Sequence, residues 1–276
     1  MQGPLRGAAV LVAVASVALT SCHHAAVRAA RAPVTPATTQ PLLVKAAPFP
    51  RPSGVVVHGS RRLPLVALTF DTNMTDHMLA ELDRHQVESF VNRRAIDELD
   101  GLGVTATVFL AGKWIERYPD ETRRLAHDPL LELASHSYAH RAFHAPCYGL
   151  GAAMPVGEMA ADVEHSEALL RRFTDRPTPY FRFPGGCYDQ VALDAIAPAD
   201  VTVVQYDVAS GDAFGTSVKA IVANVLEHTQ NGSIVVMHLT GGNTAPLTAE
   251  ALPGVVNGLR GRGFRLVKLS ELLASS

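Results

Sequence analysis

His136 and His140 stand four residues apart in His136-Ser137-Tyr138-Ala139-His140, directly after a short apolar run that ends at Ala134. Imidazoles one helical turn apart can point at the same ion, so the pair has the spacing of metal ligands. Alone the pair decides nothing, because 12 histidines are spread through 276 residues and some fall four apart by chance. Its company says more. Asp71 ends the run 65–70, and Arg182 lies in Tyr180-Phe181-Arg182-Phe183-Pro184-Gly185-Gly186. Asp207 and Asp212 follow the run 201–206, and His238 ends the run 233–238. Charged and ligating groups at the exit of so many apolar runs point to one site around an ion, not to scattered surface residues.

The runs themselves read as strands at 65–70, 105–110, 130–134, 179–183, 201–206, 233–238 and 264–269. Most are continuous in hydrophobicity instead of alternating, as parallel strands covered on both faces are. Helical patterns fill the gaps at 75–102, with a break inside it allowed, and at 113–126, 156–173, 190–197, 217–230 and 248–262. Strand then helix, repeated over about 215 residues beyond position 60, predicts one α/β domain built on a parallel sheet or barrel. The polar clusters fall at C-terminal strand ends, where barrel enzymes assemble sites from βα loops. An open doubly wound sheet would gather its ligands at a switch point instead, and several contributing strands converge more readily around a ring.

The amino-terminal part reads as an export signal. One charge, Arg6, precedes an apolar stretch over 8–19 that is too short to span a bilayer but suits a signal h-region. The stretch ends in Leu19-Thr20-Ser21-Cys22, which resembles a bacterial lipoprotein box and makes Cys22 the expected lipid anchor to a membrane. A plain secretory signal or an uncleaved anchor are the alternatives, and each places the body outside the cytoplasm. Residues 23–60, rich in Ala, Pro, Thr and Arg, read as a disordered tether, leaving 61–276 as the folded domain. With Cys22 acylated, Cys147 and Cys187 remain as an even pair in an oxidising compartment, so a disulfide is expected, with two buried free thiols as the alternative. No acidic residue precedes Asp71, whereas residues 1–70 carry seven Lys or Arg; the rest has 17 basic against 26 acidic residues, formally minus nine. An acidic body gives no reason to expect a nucleic-acid partner.

From about residue 64 to 273 the chain resembles the polysaccharide deacetylase family, the NodB-homology or carbohydrate esterase family 4 domain. His136 to His140 matches its His-Ser/Thr-x-x-His motif, Arg182 to Gly186 its Arg-x-Pro-x-Gly motif, and the apolar run closing in His238 its last motif. Thr69-Phe70-Asp71 matches the start of its Thr-Phe-Asp-Asp signature, and Asp212 its fourth motif without the adjacent aromatic.

The resemblance implies a distorted seven-stranded (β/α) barrel and metal-dependent removal of acetyl groups from cell-envelope polysaccharide such as peptidoglycan or a chitin-like glycan; a lipid-tethered hydrolase of this kind can work as a monomer. It implies a divalent ion, zinc foremost, on His136 and His140. Asp71 would be the general base aimed by Arg182, and His238, kept cationic by Asp212, the general acid. Backbone around Gly185 and Gly186 would meet the oxyanion. Val236 and Leu239 are candidates for an acetyl slot, and Tyr188 and Tyr138 for stacking on sugar.

One position departs from the pattern: the family's second aspartate, a metal ligand, is Thr72 here, with Asn73 next to it offering an amide oxygen. Three outcomes stand open: Asn73 binds the ion, Asp71 turns to ligation, or the metal and the activity are lost and the chain is an inactive glycan-binding envelope lipoprotein.

Overall fold

The computed structural model describes residues 48–275. The expected signal segment, Cys22 and the tether up to residue 47 lie outside the described residues. The sheet is organised around β1 (Leu65–Thr72), buried over all eight residues. It pairs in parallel with β2 (Ala106–Leu110) on one side and β7 (Ile234–His238) on the other. Burial on both faces explains why its sequence runs apolar without alternation. The alternation persists in which layer each residue joins: Val66, Leu68 and Phe70 pack in the core beneath the helices, while Leu65 and Ala67 face the concave side. Thr69 and Asp71 continue that concave row toward the C-terminal rim.

Further strands extend the sheet, with β3 (Leu131–Ser135), β4 (Tyr180–Phe181) and β5 (Thr202–Val203) beyond β2, and β6 (Val208–Ala209) beyond β7. The hydrogen-bonded order is β5-β4-β3-β2-β1-β7-β6, and β8 (Arg265–Leu266) adds to the start of β1. Every strand pairing is parallel, giving the expected distorted seven-stranded barrel as a curled sheet with helices outside. Its two ends, β5 and β6, are only two residues long each.

Several elements differ from the sequence reading. The pattern over 75–102 is two helices, α1 (Asp76–Asp83) and α2 (Arg93–Gly101), the second capped by Asn92, whose side chain accepts from the Ala95 N–H. The pattern over 113–126 is also two, α3 (Gly112–Arg117) and α4 (Pro119–His127), because Pro119 has no N–H to continue the first and suits the first turn of the second. The patterns at 156–173, 190–197, 217–230 and 248–262 become α5 (Val156–Leu170), α6 (Gln190–Ile196), α7 (Val218–His228) and α8 (Thr248–Gly261). The run 201–206 pairs as a strand only over Thr202–Val203, and the apolar run 264–269 shortens to β8. Its last residue opens α9 (Leu269–Ala274), which buries Leu269, Leu272 and Leu273 in the concave-side core.

The expected boundary at residue 60 also moves. Val56 bridges Val204, donates to the Val203 carbonyl at 2.9 Å and accepts from the Gln205 N–H at 2.7 Å. His58 bridges Ser233, and Gly59 donates to the Gly232 carbonyl at 2.8 Å. Residues 48–60 therefore belong to the folded body, although their Pro-rich composition reads as tether.

Candidate active site

Asp71 and His238 are partners in the register of β1 and β7, so their side chains leave the same rim side by side. Asp71 is buried and its Oδ1 accepts from Arg182 Nη1 at 2.7 Å. Arg182 is fully buried, an expensive placement for a charge that its surroundings must offset. Nη1 also reaches Thr69 Oγ1 at 2.9 Å, Nε and Nη2 donate to the Val204 and Gln205 carbonyls, and the guanidinium lies 4.0 Å from the Phe109 ring centroid. A planar fork with this many fixed donors can only hold Asp71 in one orientation.

Across the cleft, the His136 Nδ1–H donates to the Arg182 carbonyl at 2.9 Å, which fixes the tautomer and leaves Nε2 with its lone pair. Nε2 sits 3.6 Å from Asp71 Oδ2, so two acceptors face each other. His140 is buried 5.0 Å from His136, ring to ring, and its Nδ1 has no hydrogen-bond partner. Burial holds both imidazoles below the usual histidine range, His140 well below, with His136 adding to the effect there. His140 adopts φ +48°, a region that non-glycine residues rarely occupy, and its N–H is held by Ser137 Oγ. Asn73 lines the same cleft and its Oδ1 is likewise buried and unpartnered. Thr72, in contrast, does not line the cleft; its hydroxyl accepts from the Ala111 N–H at 3.2 Å. Among the described residues no group of three or more His, Cys, Asp and Glu side chains is arranged to hold a metal ion.

His238 is held by Asp212 twice, through its Nδ1–H and its backbone N–H, both at 2.8 Å. Ser210 and Thr248 hydroxyls donate to the same carboxylate at 3.0 and 2.6 Å. Burial alone would lower the His238 pKa, but the charge and hydrogen bond of Asp212 outweigh it and the imidazole is raised. Asp212 responds oppositely: burial disfavours its charge, the His238 contacts outweigh that, and its pKa is lowered. Asp207, singled out at the same strand exit, does not join the site. It pairs with Arg61 and caps the start of β7 through the Ile234 N–H.

Gly185 and Gly186 line the cleft at φ +64° and +68°, conformations that favour glycine. A Cβ on Gly185 would come within 2.6 Å of Cys147 Sγ, so the turn is also packed too tightly for a side chain. Cys147 and Cys187 are disulfide-bonded, tying the loop after β3 to this turn. Val236 lines the cleft, whereas Leu239 is buried outside it. Tyr188 and Tyr138 do not line the cleft either: Tyr188 stacks on Phe183, and Tyr138 stacks on His165 and donates to Glu116. The cleft, about 480 Å³, is instead walled by Tyr148, Tyr206 and Phe214. Sequence reading points to the loop from Tyr148 to Pro155 as one that shapes substrate choice, but it does not single out Tyr148, Tyr206 or Phe214 as a wall.

The sequence model of the polysaccharide deacetylase family matches residues 58–204, more than half of the 276-residue chain. A peptidoglycan-N-acetylglucosamine deacetylase from Bacillus cereus is 26% identical over 183 residues, covering 66% of this chain and 63% of that protein. The chain thus spans less than two thirds of that relative's length. Among solved structures, a peptidoglycan N-acetylglucosamine deacetylase bound to 4-naphthalen-1-yl-N-oxidanyl-benzamide superposes with a TM-score of 0.66 at 24% identity, over 80% of this chain and 94% of that one. A CE4 family pseudoenzyme from Bacillus anthracis gives 0.64 at 19% identity, over 80% of this chain and 69% of that one. Asp71, His136, His140 and Arg182 fall inside the matched stretch, and Asp212 and His238 complete the cleft beyond it on the shared fold. The chain belongs to the polysaccharide deacetylase family.

Proposed function

We propose that this protein is a hydrolase that removes acetyl groups from N-acetylated or O-acetylated cell-envelope polysaccharide, such as peptidoglycan or a chitin-like glycan. One observation carries the reading: a single cleft presents a carboxylate clamped by a buried guanidinium beside an imidazole backed by a second carboxylate. These are a general base and a general acid with separate supports.

The donor set fits a divalent cation, zinc foremost, in that His140 Nδ1 and Asn73 Oδ1 are buried without partners and the His136 Nε2 lone pair faces a carboxylate. His136, His140 and Asn73 would hold it. When bound, such an ion polarises the acetyl carbonyl and acidifies water. Asp71 accepts the proton of the attacking water, and Arg182, 2.7 Å from its Oδ1, holds that carboxylate aimed. In the glycine turn Pro184 has no N–H and Gly186 donates to the Phe183 carbonyl at 2.9 Å, so the Gly185 N–H is the turn's remaining donor to a developing oxyanion. His238 donates its proton to the departing amine or alcohol, and acetate leaves. Val236 borders the acetyl methyl. Acetate release from N-acetylglucosamine oligomers or peptidoglycan by the zinc-supplemented protein tests the reading, with His136→Ala as control. No acetate above that control overturns it.

A second reading, a glycan-binding protein without turnover, is favoured by Thr72 standing where the family pattern has a carboxylate. Titration with chitin oligomers beside the acetate assay separates the two, since this reading requires binding without release. Placement in the cell envelope as a membrane-anchored lipoprotein belongs to the proposal as well, supported by the apolar stretch 8–19 and the Leu19-to-Cys22 box.

A further inference from the structure

Tyr148 and Phe214 are each 71% exposed, the largest exposures among the described large hydrophobic residues. They come from distant loops, one after β3 and one after β6, yet their ring centroids are 5.5 Å apart and both line the cleft. Leaving two aromatic rings in water forgoes the stabilisation that burying them would give. The placement of Tyr148 is fixed by its surroundings. It follows Cys147, whose disulfide to Cys187 ties the loop to the glycine turn, and its Cδ2 lies 3.3 Å from where a Gly185 Cβ would be. Tyr148 itself sits at φ +35°, outside the regions open to most residues. The loop thus holds an exposed ring in a conformation it would not choose freely, directly against the turn that carries the oxyanion donor.

We propose that Tyr148 and Phe214 form one stacking wall for a hexopyranose ring of the glycan, the unit neighbouring the acetylated one. This inference rests on the deacetylase reading for its substrate. The electron-rich faces of aromatic rings attract the polarised C–H groups that a β-linked, equatorially substituted pyranose presents on its flat side. At 5.5 Å the two rings are already in mutual contact, so no sugar fits between them and the pyranose lies across their cleft-facing surfaces. Chain-length preference follows: a tetrasaccharide gains this contact and a monosaccharide does not.

The test compares wild type with Tyr148→Ala, Phe214→Ala and Tyr148→Phe on N-acetylchitotetraose and on N-acetylglucosamine. Each alanine variant should raise KM for the tetrasaccharide roughly three- to tenfold with little change in kcat, as the loss of one aromatic contact implies. Tyr148→Phe should retain the wild-type KM, which separates stacking from a hydrogen bond by the phenol. Unchanged KM in both alanine variants overturns the proposal while leaving the deacetylase reading intact. If wild type releases no acetate, the deacetylase reading fails and calorimetric Kd for the tetrasaccharide replaces KM, with the same fold-changes expected. A wild-type protein that does not bind the tetrasaccharide overturns the wall as well.

Discussion

At the level of single residues, the two carboxylates of the cleft suit the opposite jobs proposed for them because their partners differ. Asp71 faces a guanidinium that cannot give up its proton, whereas Asp212 faces an imidazole that can. Asp212 raises the pKa of His238 against the effect of burial, so the protonated acid persists to higher pH than a free histidine would. A general acid works only while protonated, so if His238 has the proposed role, activity should fall as pH rises through that raised value. Asp212→Asn removes the raising charge and should move the alkaline limb of the pH–rate profile to lower pH, with kcat on that limb down by roughly 10²–10⁴-fold. An unmoved limb would show that His238 is not the proton donor.

Asn73 carries the metal question. In the proposed site its neutral amide would leave a cation on two neutral imidazoles, and a carboxylate there would supply an anionic oxygen ligand. Asn73→Asp should tighten zinc binding by calorimetry, by roughly one or two orders of magnitude on the scale of ligand-shell changes, and Asn73→Ala should weaken it. Equal affinities in all three proteins would remove Asn73 from the ligand set.

Among secondary-structure elements, what was legible in the sequence was whatever tertiary packing left with a long, uniform signal. The continuous apolar runs of β1 and β7 could be read because both faces are covered. The motif residues at their ends could be read because charge following such a run is unusual. β6 could not, since two residues carry no period and Ser210 and Asp212 beyond it dominate the local composition. The orientation of Tyr148 and Phe214 could not be read for a related reason: a loop aromatic reveals where it points only once its loop is tied down.

The segment 48–60 misled by composition, because a Pro-rich stretch can still pair with strand edges through a few backbone bonds. A chain starting at residue 61 loses the Val56 and Gly59 hydrogen bonds and the burial of Val56. That is about 2–4 kcal/mol from burial and net hydrogen bonding, or a Tm lower by roughly 5–15 °C than that of a chain starting at residue 48. Calorimetry of the two chains gives the comparison, and equal melting temperatures would return these residues to the tether.

For the molecule as a whole, one covalent link joins what the sheet alone leaves adjustable. The Cys147–Cys187 bridge spans 40 positions of sequence and connects the loop after β3 with the turn after β4, beside the cleft-lining Tyr148 and Gly186. Closing a loop of that length restricts the unfolded chain by about 4 kcal/mol in the chain-entropy account, a large share of the 5–15 kcal/mol typical of a folded domain. The β4 and β5 strands on this side are two residues each, so few ladder bonds compensate when the bridge is lost. Reduction, or Cys147→Ala with Cys187→Ala, should lower Tm by roughly 8–16 °C. The reductant should leave the melting of the double variant unchanged, since it then has no bridge to cut. A reduced wild type that melts with the oxidised one would mean that side-chain packing, including Cys147 against the glycine turn, already holds the loops together without the bond.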